Sequence, residues 1–132
     1  MLINLNADLT PIKFTAATIT KDKVELFKSA IRLQYTEGIP PTYATTFRKG
    51  EFAFLDRFHV NLKNLLHTDQ QYEYISPFCL DDIPEVTTEF VSTKERRGMV
   101  FVSIKSQVKV KDQVRVYFTS SFVLRETKKG TE

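Results

Sequence analysis

The residues of this chain whose types and spacing suit chemistry fall into a few small groups. His67, Asp69 and Gln70 form the best polar cluster, because a histidine beside a carboxylate can bind or polarise a ligand. The plainer alternative is that His67 caps a turn ahead of a strand. Asp56 and His59 stand one helical turn apart and could pair there, although a surface position would leave both solvated. Glu25 and Glu37 sit near the two ends of a helical pattern, where solvent exposure is the simpler reading. Cys79 is the single cysteine, and without a histidine or asparagine partner it reads as a small buried residue rather than a nucleophile. One cysteine excludes an intrachain disulfide and a multi-cysteine zinc site. No pattern calls for a metal ion or a cofactor.

The elements that must position these groups begin with the stretch from Val100 to Leu124. There Val100, Val102, Ile104, Val108 and Val110 share one parity, and Val114, Val116, Phe118, Phe122 and Leu124 share another, each alternating with polar residues. That is the pattern of two half-buried strands in an antiparallel hairpin. For both apolar sets to reach one face the connection must have an odd length unless a bulge intervenes, which predicts a loop of three residues, Lys111, Asp112 and Gln113. Upstream, Ile83 to Glu95 reads as a long strand, and Tyr72, Tyr74 and Phe78 open the sheet region. Arg96, Arg97 and Gly98 turn the chain into the hairpin.

Val24, Phe27, Ala30, Ile31 and Tyr35 recur at helical spacing, with Thr20 as N-cap, Gly38 as a stop and Pro40 and Pro41 beyond. This spacing predicts a buried helix over Lys21–Tyr35, preceded by an extended segment from Ile12 to Ile19. Between Thr42 and His67 the pattern is less regular. Short helices are predicted at Thr42–Phe47 and Asn61–Leu66, in an excursion that covers one end of the core helix. Met1–Asp8 reads as a short edge strand or arm, and the tail from Lys128 as frayed.

At 132 residues the chain is one domain, residues 1–132, of α+β class. With 42% hydrophobic and 27% charged residues, the composition is that of a soluble globular protein and indicates neither disorder nor a membrane span. The first ten residues lack the basic start and apolar run of a signal peptide, and a lone cysteine suits a reducing compartment, so a cytoplasmic location is expected. A formal charge of +3, spread along the chain, is too diffuse for nucleic-acid binding but compatible with an anionic ligand or an acidic carrier protein. Eleven Phe and five Tyr against four Gly point to a core or groove rich in aromatic surface.

Three segments, in order, carry a family resemblance. Pro40-Pro41-Thr42-Tyr43-Ala44, Leu66-His67-Thr68-Asp69-Gln70-Gln71-Tyr72-Glu73-Tyr74 and Pro77-Phe78-Cys79-Leu80-Asp81-Asp82 resemble motifs of the MaoC-like hydratase/dehydratase superfamily. The resemblance runs from Phe14 to Arg125. It points to the N-terminal, fatty-acid-synthase-type dehydratase module, including companion subunits of heterodimeric 3-hydroxyacyl dehydratases. It implies a single hot-dog fold, an antiparallel sheet wrapped around one central helix. It also implies pairing of two such folds through sheet edges, and binding of acyl thioesters of coenzyme A or acyl carrier protein at the dimer interface, in fatty-acid or polyketide metabolism. By the same resemblance Thr42, Tyr43, His67, Asp69 and Gln70 are the ligand-binding candidates, with core packing the alternative for Thr42 and Tyr43. His67 is the one weak catalytic candidate.

The chemistry departs from that family. Active members resemble one another in an Asp followed five residues later by His, a pair able to reach one water and the α-carbon. Here Phe54 stands five residues before His59, and Leu62 five before His67. The segment expected between helix and Pro40-Pro41 is contracted to Gln34–Ile39. The expectation is therefore a thioester-binding subunit without its own acid/base pair, a homodimer or a heterodimer with a hydratase subunit. If active, it is a 3-hydroxyacyl-thioester dehydratase or enoyl hydratase acting with a catalytic partner. The alternatives are a hot-dog thioesterase using Glu25 or Glu37, and a non-catalytic interaction module.

Overall fold

The computed structural model describes residues 8–33 and 38–125. Five strands make one antiparallel sheet: β1 (Ile12–Thr15), β2 (Leu65–Tyr74), β3 (Glu85–Arg96), β4 (Met99–Val110) and β5 (Gln113–Arg125), in the order β1-β3-β4-β5-β2. β1 and β2 are therefore the edges. The expected alternation is present: every even-numbered residue of β4 from Val100 to Val110 is buried, as are Val116, Phe118, Ser120, Phe122 and Leu124 of β5. One sheet face thus packs inward along its whole length. Two of these inward positions, Ser106 and Ser120, are polar.

The β4–β5 connection differs from the expected three residues. It has two, Lys111 (φ 51°) and Asp112 (φ 63°), both in the left-handed region that tight hairpin turns require. Register is restored by a bulge, because Val108 faces Val116 while Lys109 faces Val114, leaving Arg115 as the extra residue. The Arg115 guanidinium reaches the Pro77 carbonyl at 2.6 Å, so the bulge ties the hairpin to the segment after β2.

The central helix is not the one expected from periodicity. α1 runs only over Lys21–Ala30, capped by the Thr20 side chain, which accepts from the Lys23 N–H at 3.3 Å. Its apolar stripe is mostly outside: Leu26 is 73% exposed and Ile31 46%, with Val24 the one buried residue. Tyr35 and Glu37 lie outside the described residues, as do Met1–Ala7 and the tail from Glu126. The helix covered by the sheet is α2 (Lys49–Arg57), entered through a 3₁₀ segment at Pro41–Phe47. Phe47, Phe54, Leu55 and Phe58 are all buried there and pack against Val102, Ile104, Val108, Phe118 and Phe122 of the sheet. The stretch expected as an excursion is thus the centre of the fold. Nine helical residues are too few for a long periodic signal, but Phe54 and Leu55 within α2 and Phe47 and Phe58 at its two ends are large and buried, so burial per residue replaces length. The helix expected at Asn61–Leu66 is a single turn, Leu62–Asn64, after which Leu65 and Leu66 already belong to β2.

Candidate ligand site at the edge strand

α2 starts deep in the molecule, and its first turn carries polar groups. The approach depends on Gly50. A Cβ there would lie 2.6 Å from the Thr88 Cβ and closer still to its hydroxyl, so any larger residue would push the helix off β3. Thr88 is itself fully buried and shares a 2.8 Å hydrogen bond with Ser106. One residue on, Glu51 is 0% exposed although it carries a carboxyl group. Arg48 reaches it, Nε to Oε1, at 3.0 Å, while the arginine side chain keeps 22% exposure. The guanidinium also lies over the rings of Phe52, at 5.3 Å, and Phe122, at 5.9 Å. Arg48 is therefore the outer cover of a buried carboxyl group.

Burial is the main influence on Glu51 and pushes its carboxyl above the ordinary carboxylate range. The Ser120 hydroxyl, the Arg48 guanidinium and, least, His67 act in the opposite direction. Ser120 donates to Gln70 Oε1 at 2.7 Å, so this one hydroxyl stands between the carboxyl of the central helix and the carboxamide of the edge strand. Three buried polar atoms nearby have no hydrogen-bond partner among the described residues: Glu51 Oε2, Gln70 Nε2 and the Tyr72 hydroxyl. Burial also raises the Tyr72 phenol; Tyr74 and Glu51 add to that and Arg48 opposes it.

A bulge sets which β2 side chains meet this cluster. His67 faces Phe122 and Asp69 faces Ser121, so Thr68 is the extra residue. Strict alternation would separate His67 from Gln70. With Thr68 inserted, His67 packs its ring on Phe122 at 5.1 Å, and Gln70 and Tyr72 fall opposite Ser120 and Phe118 on the same inward face. Asp69, opposite Ser121, falls on the other side and is exposed. The site therefore joins His67 to Gln70 and leaves Asp69 apart. At the end of β2 an apolar cleft of about 260 Å³ lies between Ile39, Pro40 and Pro41 on one side and Tyr74–Phe78 on the other. Tyr74 stacks on Tyr72 at 5.6 Å, which connects cleft and polar cluster along one strand.

The other expected site residues lie elsewhere. Thr42 is exposed, and its carbonyl accepts from Thr45 Oγ1 at 2.8 Å. Tyr43, 6% exposed, packs edge-on against Phe27 and Phe47 at 5.2 and 5.8 Å, which is core packing. Asp56 and His59 are exposed and carry no ion pair to each other. Glu25 is exposed beside Lys28 at 3.8 Å. Cys79, expected to be buried, is exposed, because the Asp82 carboxylate holds its N–H at 2.7 Å in a surface turn. Among the described residues no group of three or more His, Cys, Asp or Glu could hold a metal ion, and no helix is long and apolar enough to cross a membrane.

The sequence reading missed Arg48, Glu51, Tyr72 and Ser120. The signals were a charged residue on a helical apolar stripe, Phe47, Glu51, Phe54 and Phe58, and a serine inside the apolar parity of β5. A polar residue on an apolar series is buried by its neighbours, and burial makes it informative.

A five-stranded antiparallel sheet packed on one central helix places the chain among hot-dog proteins. It belongs to the family described as FAS1-like, dehydratase domain region, whose match spans residues 37–118. Among similar solved structures is the HadBC (3R-hydroxyacyl-ACP dehydratase) complex of Mycobacterium tuberculosis, 16% identical, with a TM-score of 0.71, covering 90% of this chain and 99% of that one. HtdX of the same organism is 18% identical with a TM-score of 0.72, and the match covers 86% of this chain but 51% of HtdX. A thioesterase from Thermus thermophilus, solved with coenzyme A and zinc, is 9% identical with a TM-score of 0.61, covering 92% and 83%. Identities this low bear on the fold alone. No curated protein sequence matches the chain.

Proposed function

We propose that this protein is an acyl-thioester-binding member of the dehydratase family that works beside a hydratase subunit of the same fold, with coenzyme A or acyl carrier protein as the thioester's carrier. The observation that carries this reading is that the edge strand β2 runs from a buried polar cluster, Gln70 with Ser120 of β5 and Glu51 of α2, to an apolar cleft at Tyr74–Phe78. A ligand suited to both is amphiphilic, with a polar acyl head and a hydrocarbon tail, and burial of the tail supplies most of the binding energy. The absence of Asp-x4-His from the sequence supports a companion role, since proton transfer needs a positioned base. The HadBC neighbour, itself a complex, supports a partner subunit. Of the residues expected from the sequence, His67 and Gln70 remain part of this reading as ligand-side residues, His67 on the same strand face as Gln70. A cytoplasmic location fits the exposed free thiol of Cys79.

Calorimetry with octanoyl-CoA and an enoyl-CoA absorbance assay test the two halves separately. The expected result is weak binding with hydration no faster than in buffer, and activity only after a dyad-bearing subunit is added. Efficient hydration by the pure chain would sink the companion role. Release of free coenzyme A from octanoyl-CoA would turn the reading to a thioesterase. No binding with or without a partner would leave an interaction module.

A further inference from the structure

We propose that Gln70 and Tyr72 form a paired-donor site for the carbonyl oxygen of the bound thioester, with Ser120 and Glu51 as the residues that orient the Gln70 amide. The proposal rests on the thioester-binding reading above and names where its reacting carbonyl sits. Gln70 and Tyr72 are two apart on β2, so their side chains share the inward face and are near neighbours. Each presents a buried donor, Nε2–H and O–H, with no partner among the described residues. Two buried donors on one strand face fit an uncharged acceptor oxygen better than any cation or apolar group.

The orientation of the amide follows from its neighbours. Ser120 has a single proton, and it goes to Gln70 Oε1 at 2.7 Å, which turns Nε2 the other way. The Glu51 carboxyl interacts with the same hydroxyl. With its proton held by Gln70 Oε1, the Ser120 hydroxyl fixes the amide with its N–H groups free for a ligand. Glu51, with no exposed surface, is a positioning residue. The acyl chain leaves the carbonyl along the Tyr72–Tyr74 stack toward the cleft at Pro40, Pro41 and Phe78.

The test compares octanoyl-CoA with S-octyl-CoA, the thioether that replaces the carbonyl by a methylene and is otherwise the same. Two hydrogen bonds to the carbonyl should make the full-length protein prefer the thioester by roughly twenty-fold, about fivefold for each bond of ordinary strength. Tyr72→Phe should cut the ratio about fivefold, and Gln70→Leu should do the same. Glu51→Gln, a neutral group of nearly the same shape, should retain the ratio. Because the ratio is internal to each variant, a loss of stability that affects both ligands alike leaves it readable, and the Phe variant removes only one oxygen. Equal binding of the two probes by the unaltered protein, or a ratio unchanged in both the Phe and the Leu variants, overturns the carbonyl site while the thioester reading stands. Binding of neither probe overturns both.

Discussion

Replacing Glu51 by glutamine tests whether a carboxyl group is held neutral inside this fold. Burial raises the native pKa of Glu51, with Ser120, Arg48 and His67 offsetting part of that. An unfolded glutamate titrates at about 4.3. In the window between that value and the raised native value, the native state binds more protons than the unfolded state. Stability from this residue is therefore fully present below the unfolded pKa and declines as pH rises through the window, until the native group has also ionised. The slope can reach about 1.4 kcal/mol for each pH unit, the free energy of one unit of differential proton affinity. Arg48 limits the loss at high pH, because at 3.0 Å it receives the ionised carboxylate.

Glutamine cannot ionise and has nearly the same shape. The quantity to measure is the urea-unfolding free energy of the unaltered protein and of Glu51→Gln from pH 4 to pH 8, and the informative number is their difference at each pH. Titrating groups that do not interact with Glu51 cancel in that difference, including Asp8, whose carboxyl is held low by Thr10. The variant should be the weaker or equal partner at pH 4 and gain on the unaltered protein by up to about 1.4 kcal/mol per unit as pH rises. A difference that does not change with pH would refute the argument, and one that falls with pH would mean that the Arg48 ion pair outweighs burial.

Two other substitutions follow from the packing around that carboxyl. Gly50→Ala should destabilise the protein by roughly 1–3 kcal/mol in a urea titration, although alanine in a helix normally gains about 1 kcal/mol over glycine; Thr88→Ala in the same chain should recover part of the loss. Tyr72→Phe should raise the unfolding free energy by about 1 kcal/mol in the absence of ligand, since it removes a buried hydroxyl that has no partner among the described residues; a loss of stability instead would count against the hydroxyl's being unpaired.

The strands were legible because alternation is a direct record of which side of a sheet meets the core, and Val100–Val110 and Val116–Leu124 carry it almost without interruption. The turn between them was misjudged by one residue. A two-residue loop with Lys111 and Asp112 both at positive φ leaves no composition mark of the asparagine-glycine kind, and the compensating bulge at Arg115 is invisible in parity alone. The helices were misassigned for a related reason. Periodicity reports how apolar residues are spaced on α1, whereas which helix lies beneath the sheet depends on how much aromatic surface each one can bury, and Phe47, Phe54 and Phe58 exceed Val24 and Phe27 on that measure. Gln70 and His67 were found from their residue types, but Asp69 was grouped with them because the sequence holds no sign of the extra residue at Thr68.

The polar residues on the inward faces carry the strongest argument that this surface has a use beyond stability. Thr88 and Ser106 satisfy one another at 2.8 Å, which makes them nearly neutral in the core, and Gly50 exploits the small volume they occupy. Glu51, Gln70 and Tyr72 differ, because each leaves one buried atom without a partner among the described residues, at a cost of about 1–3 kcal/mol for an atom of this kind. That sum is a sizeable share of the roughly 5–15 kcal/mol that holds a domain together, and hydrophobic side chains of similar size would avoid it. The three atoms are not scattered. Two belong to one face of the edge strand, the third to the helix turn opposite, and Ser120 stands between Gln70 and Glu51. Three of the four buried side-chain atoms that lack a partner among the described residues lie at this place, the fourth being Arg115 Nε, and their position beside an apolar cleft and under a single partly exposed arginine has the form of a site whose missing partner is a ligand.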